Sequence, residues 1–160
     1  MKKIIALFTA LVLLVACLAG CGKTGSNGDA VQQEEELYSM VVFSKGSEYF
    51  NWTYAGFSDA AKAMGAHIKT ELVGPAEVDA AAEAKALEQL IAKKPNGIVV
   101  TSADSNTLIP SINKAISADI PVVGFDVASP ESNYLGFVGT DNYSFGCVAA
   151  DIAAELTGGT

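Results

Sequence analysis

The residues of this 160-residue chain best suited to chemistry sit in short polar clusters, each directly after an apolar run. Ser44-Lys45-Gly46-Ser47-Glu48-Tyr49-Phe50-Asn51-Trp52 sets three aromatic rings among hydroxyl, amide and charged groups. Aromatic faces pack against the C–H faces of sugar rings while nearby polar groups bond hydroxyls. Such a cluster suits a small neutral ligand. Tyr49 is placed to face ligand, Phe50 suits ligand or core equally, and Trp52 fits the inner face of a following helix. In Thr101-Ser102-Ala103-Asp104-Ser105-Asn106, Thr101 stands at the end of an apolar run and is the contact candidate. Asp104, Ser105 and Asn106 are better suited to capping the next helix. Asp126 closes the run Val122-Val123-Gly124-Phe125, where a carboxylate would accept ligand hydroxyls or cap the turn before Pro130. Gly139-Thr140-Asp141-Asn142 carries both turn and N-cap signals and is open to structural use or binding.

No catalytic set assembles from the sequence. The single histidine, His67, falls at the start of the second expected strand, away from these clusters. No metal-ligand cluster, nucleophile motif or glycine-rich dinucleotide loop is present. Gly22-Lys23-Thr24 has the ending of a phosphate-binding loop, but that motif needs a glycine five positions earlier, where Cys17 stands. The expectation is a binding protein rather than an enzyme, without cofactor or metal.

The elements that must position these clusters follow from hydrophobic spacing. Strands are predicted at Tyr38–Phe43, His67–Leu72, Gly97–Val100, Val122–Phe125 and Tyr134–Val138. The first, third and fourth are nearly continuous apolar runs, as strands covered on both faces require. Helices are predicted at Trp52–Met64, Val78–Lys93, Thr107–Ala118 and Tyr143–Leu156, with Gly65, Gly97, Pro121 and Gly158-Gly159 as punctuation. Strand starts recur every 25–30 residues or so, the size of a βα unit in a parallel sheet. Right-handed crossovers then give an α/β, doubly wound parallel sheet in a three-layer α/β/α arrangement. Such sheets bind ligands beyond the carboxyl ends of their strands. If the strand order is 2-1-3-4-5, the crevice lies between the first and third strands, and the clusters above surround it.

The chain carries ten lysines, no arginine and a net charge of −8. That balance argues against nucleic acid and anionic membrane surfaces as partners. It also removes the usual bidentate clamp for phosphate or carboxylate ligands. The first residues address the chain elsewhere. Lys2 and Lys3 precede an apolar run from Ile4 to Leu18, which ends in Leu18-Ala19-Gly20-Cys21. Charge, apolar segment and small residues in that order form an export signal, too short for a membrane span. Leu18-Ala19-Gly20-Cys21 resembles the lipobox of bacterial lipoproteins. The resemblance implies cleavage before Cys21, lipid on Cys21 and an extracytoplasmic, membrane-anchored location. Cys17 leaves with the signal, so Cys147 has no internal disulfide partner. Its neighbours Phe145, Val148 and Ala149 suggest a buried thiol. Gly22 to Glu36 is small, polar and acidic without hydrophobic period, and reads as a flexible tether. The expected organisation is therefore a signal at 1–20, a tether at 21–37, a sheet domain at 38–141 and a further helix at 142–160.

The stretch Met40 to Leu156 resembles the type I periplasmic binding proteins of sugar ABC transporters, the ribose-binding-like group. Met40-Val41-Val42-Phe43-Ser44, Glu48-Tyr49-Phe50, Gly56 and Ala60-Ala61 look like that family's first strand, aromatic pair and first helix. Ile98-Val99-Val100-Thr101 with Asp104-Ser105 looks like its third strand and loop. Ile120-Pro121-Val122-Val123-Gly124-Phe125-Asp126 looks like its fourth strand, and Gly139-Thr140-Asp141-Asn142 like its crossing to a second lobe. The resemblance implies a pocket between two hinged lobes and delivery of a small neutral sugar or polyol to an ABC transporter permease. It implies ligand contacts from Ser47, Tyr49, Phe50, Thr101 and Asp126. One departure bears on the ligand: ribose-type binders carry an arginine after that aspartate, and Val127 stands here.

Members of that family run to about twice this length, so the chain is expected to supply one lobe, the entry to the hinge and one helix of a second lobe. Two other roles remain open on the same fold: a ligand sensor serving a membrane kinase or chemoreceptor, and an extracytoplasmic enzyme. Lac-repressor-like regulators share the fold but need a DNA-binding segment where this chain has an export signal.

Overall fold

A computed structural model describes residues 33–159. The export signal, Cys21 with its expected lipid and most of the tether lie outside the described residues. Five strands and four helices alternate along the chain: β1 (Glu36–Val41), α1 (Glu48–Met64), β2 (Ile68–Val73), α2 (Ala80–Ile91), β3 (Gly97–Val100), α3 (Ile109–Ser117), β4 (Val122–Phe125), β5 (Gly136–Val138) and α4 (Asn142–Thr157). The strands form one parallel sheet in the order β2-β1-β3-β4-β5, the doubly wound arrangement expected from the sequence. β1 takes Glu36 and Leu37 from the expected tether and pairs them with Ile68 and Lys69.

Alternation along the strands sorts side chains to two faces. Val41, Ile98, Val100 and Val122 face α2 and α3, where Leu87, Leu90, Leu108 and Ile112 complete a closed core. Each such side chain contributes about 1.5–3 kcal/mol on burial. Met40, Val42, Leu72 and Val99 face the other way and meet α1 through Phe50, Tyr54 and Phe57. Two helices thus cover one face and a single helix the other. α1 reaches across β2 and β1 and leaves the β4–β5 half of its face open. Val138 is 70% exposed in consequence.

Side-chain caps fix where two helices begin. The Asp79 carboxylate accepts from the Ala82 N–H at α2, and Asp141 accepts from the Tyr143 and Ser144 N–H groups at α4. At the end of β2, Gly74 adopts φ +144°, and a Cβ there would overlap the Val42 carbonyl oxygen. Only glycine permits that approach.

α4 differs from the other helices. None of its residues is buried, and Tyr143, Phe145, Val148, Ile152 and Leu156 are all exposed. The expectation of a buried Cys147 is therefore corrected: its thiol is exposed and free. Its apolar neighbours follow a helical stripe, but nothing among the described residues covers that stripe. No helix among the described residues is long and apolar enough to cross a membrane.

Candidate functional site

The strand tips converge on Asp126. Its backbone N–H donates to the Val138 carbonyl at 3.0 Å, tying the β4 tip to β5. It adopts φ +58°, a left-handed conformation that aspartate tolerates better than most residues. The Tyr49 hydroxyl donates to Oδ1 at 3.2 Å, and the Thr101 hydroxyl approaches Oδ2 at 3.4 Å. Thr101 in turn accepts from the Val127 N–H at 3.3 Å. Residues from α1 and the tips of β3 and β4 thereby meet at one carboxylate, at the carboxyl ends of the strands, where parallel sheets of this topology bind ligands.

Beside Asp126 lies a cleft of about 630 Å3. Tyr49, Thr53 and Phe57 of α1 form its wall. Met40, Val99, Val123 and Phe125 form an apolar floor across β1, β3 and β4. Asp126, Gly139, Thr140 and Asn142 supply polar groups at the rim. Among the residues lining it, Asp126 alone carries a charge. Partial burial and the Asp126 carboxylate raise the Tyr49 phenol above its ordinary range, so this hydroxyl stays a donor at neutral pH. Groups of three or more metal-ligating side chains are absent among the described residues.

The five residues expected to contact ligand separate on the structure. Tyr49 and Asp126 line the cleft. Thr101 is fully buried and acts on Asp126 from beneath. Ser47 is the N-cap residue of α1 and does not line the cleft. Phe50 is 2% exposed, stacked edge-on against Phe43 at 4.8 Å and Tyr49 at 5.1 Å. It is a core residue in this chain, and the expectation that it opens to ligand is corrected. Trp52 is corrected the other way: expected in the core, it is 72% exposed and donates to Glu48 at 3.3 Å. Both changes have one cause. α1 starts at Glu48, four residues earlier than predicted, and the helical rotation of 100° per residue turns Phe50 inward and Trp52 outward.

The expectation that Asp104, Ser105 or Asn106 caps α3 is corrected: α3 starts after Leu108 with no side-chain cap, and Asp104 closes the turn before it. Asp104 accepts from the Asn106 and Thr107 N–H groups and the Thr107 hydroxyl, which together hold its carboxyl below the usual range. His67 sits beside Glu36 at the amino end of the sheet, far from the strand tips. The sequence reading missed Thr53 and Phe57 on the cleft wall, while Thr140 and Asn142, from the cluster left open to structural use or binding, stand at the rim. Ser47 followed by Glu48 was the available signal: an N-cap type with an acidic first turn places Thr53 one turn beyond Tyr49. It also missed Glu83, a fully buried carboxyl on α2 whose Oε2 accepts from the Ala103 N–H at 3.0 Å.

A family model for the periplasmic binding protein domain matches residues 38–160. The chain belongs to the periplasmic binding protein family. A D-ribose/D-allose-binding protein of Pseudomonas aeruginosa is 30% identical over 144 residues, 83% of this chain and 43% of that protein. Among solved structures, a sugar-binding protein of a sugar ABC transporter from Bacillus halodurans is 41% identical, with a TM-score of 0.73 over 76% of this chain and 41% of that one. The arabinose-binding protein AraP from Geobacillus stearothermophilus is 38% identical, with the same TM-score over 77% of this chain and 42% of that one. The chain therefore spans about two fifths of the length of the relatives it matches.

Proposed function

We propose that this periplasmic binding protein chain supplies one wall of a sugar-binding site and serves ABC-transporter uptake outside the cytoplasm. The observation that carries this reading is the Tyr49–Asp126–Thr101 cluster beside an apolar floor. A carboxylate oriented by two protein hydroxyls accepts ligand hydroxyls in charge-assisted bonds, and an aromatic face beside it takes a pyranose or furanose C–H face. Family membership and relatives described as binding ribose, allose and arabinose support the sugar class. The missing cation beside Asp126, where Val127 stands, favours a neutral sugar or polyol over an acidic one. Leu18-Ala19-Gly20-Cys21 supports lipid attachment at Cys21, which would hold the chain at the outer face of a membrane near a permease.

A second reading, a sensor subunit that passes ligand occupancy to a membrane receptor, is favoured by one likeness. A chain of the solved XylFII–LytSN complex, in which a protein of this fold is joined to a second protein, is 27% identical over 78% of this chain, with a TM-score of 0.69. Titration calorimetry with arabinose, D-ribose, D-allose and D-galactose tests the shared claim. Heat that saturates with at least one sugar and disappears in Asp126→Ala supports it. No saturable heat with any of the four at 50 mM, about fifty times a 1 mM Kd, would overturn it.

A further inference from the structure

We propose that Glu83 is a positioning residue of the sugar site: from beneath the β3 tip it holds the loop that carries Thr101, and through Thr101 it orients Asp126. This inference rests on the sugar-binding reading of Asp126. The geometry is continuous. Glu83 Oε2 accepts from the Ala103 N–H, two residues past Thr101. The same loop is joined to the β4 tip at three further points. The Ser102 and Ser129 hydroxyls share a buried bond of 2.7 Å, Ser105 donates to the Ala128 carbonyl at 2.7 Å, and Thr101 bridges Asp126 and the Val127 N–H. The two tip loops are thus one body, and Glu83 is its anchor to α2.

The anchor is neutral. Glu83 is wholly buried, and its Oε1 has no hydrogen-bond partner among the described residues. The charged groups around it are engaged elsewhere. Asp79, one turn earlier on α2, caps the Ala82 N–H; Asp104 holds its own turn; Lys114 on α3 pairs with Glu88 at 3.6 Å. Asp126 is bonded to Tyr49 and Thr101. Among the described residues no cation pairs with Glu83, so ionisation would leave a buried charge with one N–H for solvation. Burial accordingly pushes its carboxyl up to about 7, against the opposing pull of the Ala103 N–H. Above that pH the loop anchor carries an unpaired charge and is expected to open.

Amide hydrogen exchange at Ala103 and Val127 in the full-length chain, corrected for intrinsic rates, tests this without ligand. Both amides are expected to lose protection at least tenfold between pH 6 and pH 8.5. Glu83→Gln, which keeps the acceptor and cannot ionise, should retain protection and lose the pH step. Glu83→Ala should expose both amides at either pH. Retention of the wild-type pH step in Glu83→Gln overturns the proposal. So does a Glu83→Ala chain in which Ala103 loses protection while Val127 keeps it, because Glu83 would then be a local cap. Arabinose and D-ribose affinities measured alongside separate the two claims. If neither sugar binds at any pH, the sugar reading falls while the exchange data still decide whether Glu83 governs the loop.

Discussion

The Tyr49 hydroxyl donates to Asp126 Oδ1 at 3.2 Å across 77 residues of sequence, joining the first turn of α1 to the tip of β4. This bond orients the carboxylate before any ligand arrives. A carboxylate oxygen has a second lone pair, so a sugar hydroxyl can join Tyr49 rather than displace it. Asp126→Ala should therefore cost a charge-assisted bond of about 1.5–3 kcal/mol and weaken sugar binding on the order of 10- to 100-fold. Tyr49→Phe keeps the ring and loses only an orienting donor, so its effect should stay near 1 kcal/mol, about fivefold. Calorimetry on the two variants checks the order. Equal losses would mean that the phenol itself is the main sugar contact.

The same pair predicts a spectroscopic change. The Asp126 carboxylate helps hold the Tyr49 phenol above its ordinary titration range, after the contribution of burial. Asp126→Asn removes the charge and keeps the shape. Ultraviolet titration of tyrosinate should then show one phenol ionising at lower pH than in the wild type. An unchanged curve would place Tyr49 away from Asp126 in solution.

Glu83 sets the pH dependence of folding. Its carboxyl is raised in the folded chain to about 7 from an ordinary value of 4.5. Between those values the folded state keeps a proton that the unfolded state releases. The Glu83 contribution to stability is therefore full below pH 4.5, falls as pH rises to about 7, and levels off above it. The total is roughly 3 kcal/mol for a shift of this size. Urea denaturation from pH 4.5 to 8 should show that decline, reduced in Glu83→Gln. A flat wild-type profile would indicate that a bound water or a relaxed loop solvates the charge.

Much of this architecture is legible in the sequence, and the failures are local. Gly97–Val100 and Val122–Phe125 are found residue for residue as predicted, because a strand buried on both faces is an uninterrupted apolar run bounded by Gly or Pro. The meeting of Tyr49 and Asp126 at one cleft is legible from their place after such runs. Phe50, open between ligand and core in the sequence, and Trp52, expected in the core, are decided by the helix start, which three aromatics within four residues blur and which lies four residues earlier than predicted. Glu83 was hidden for a different reason. Within Ala80–Ile91 it falls in step with Leu87 and Leu90 on the buried face, but a carboxylate there reads as solvated, and what receives it is the β3 tip loop 20 residues away. Cys147 shows the converse: its pattern is apolar, yet a helical stripe specifies a partner without supplying one.

Gly74 is where the two ends of the β1–β2 tip meet. Its φ of +144° lets the chain pass beneath the Val42 carbonyl, so that Ser44, Lys45 and Gly46 bond to the backbone at Pro75 and Ala76. These contacts fix the loop from which α1 starts, and hence the direction of Tyr49. Gly74→Ala combines backbone strain with overlap on a carbonyl oxygen and should cost about 1–3 kcal/mol, seen as a lower Tm. Gly56, with open space around its Cα on the same helix as Tyr49, is the control: Gly56→Ala should raise stability by about 0.5–1 kcal/mol. Equal effects at the two positions would contradict the close approach at Val42.

The strength of sugar binding follows from the number of walls. A complete enclosed site of micromolar affinity corresponds to about −8 kcal/mol; one wall with half the contacts corresponds to about −4, a millimolar Kd. The cleft beside Asp126 has a floor, an α1 wall and a polar rim, and stands open opposite them. The chain should accordingly bind sugars in the millimolar range, with fast exchange in NMR titrations and shifts concentrated at Tyr49, Thr53 and Thr140. Addition of a separately expressed second lobe from the Bacillus halodurans relative, the structure 41% identical to this chain, should tighten binding if that lobe closes the open side. Sub-micromolar affinity of this chain by itself would contradict the one-wall account, because the contacts available from Asp126, Tyr49 and the rim do not reach that free energy.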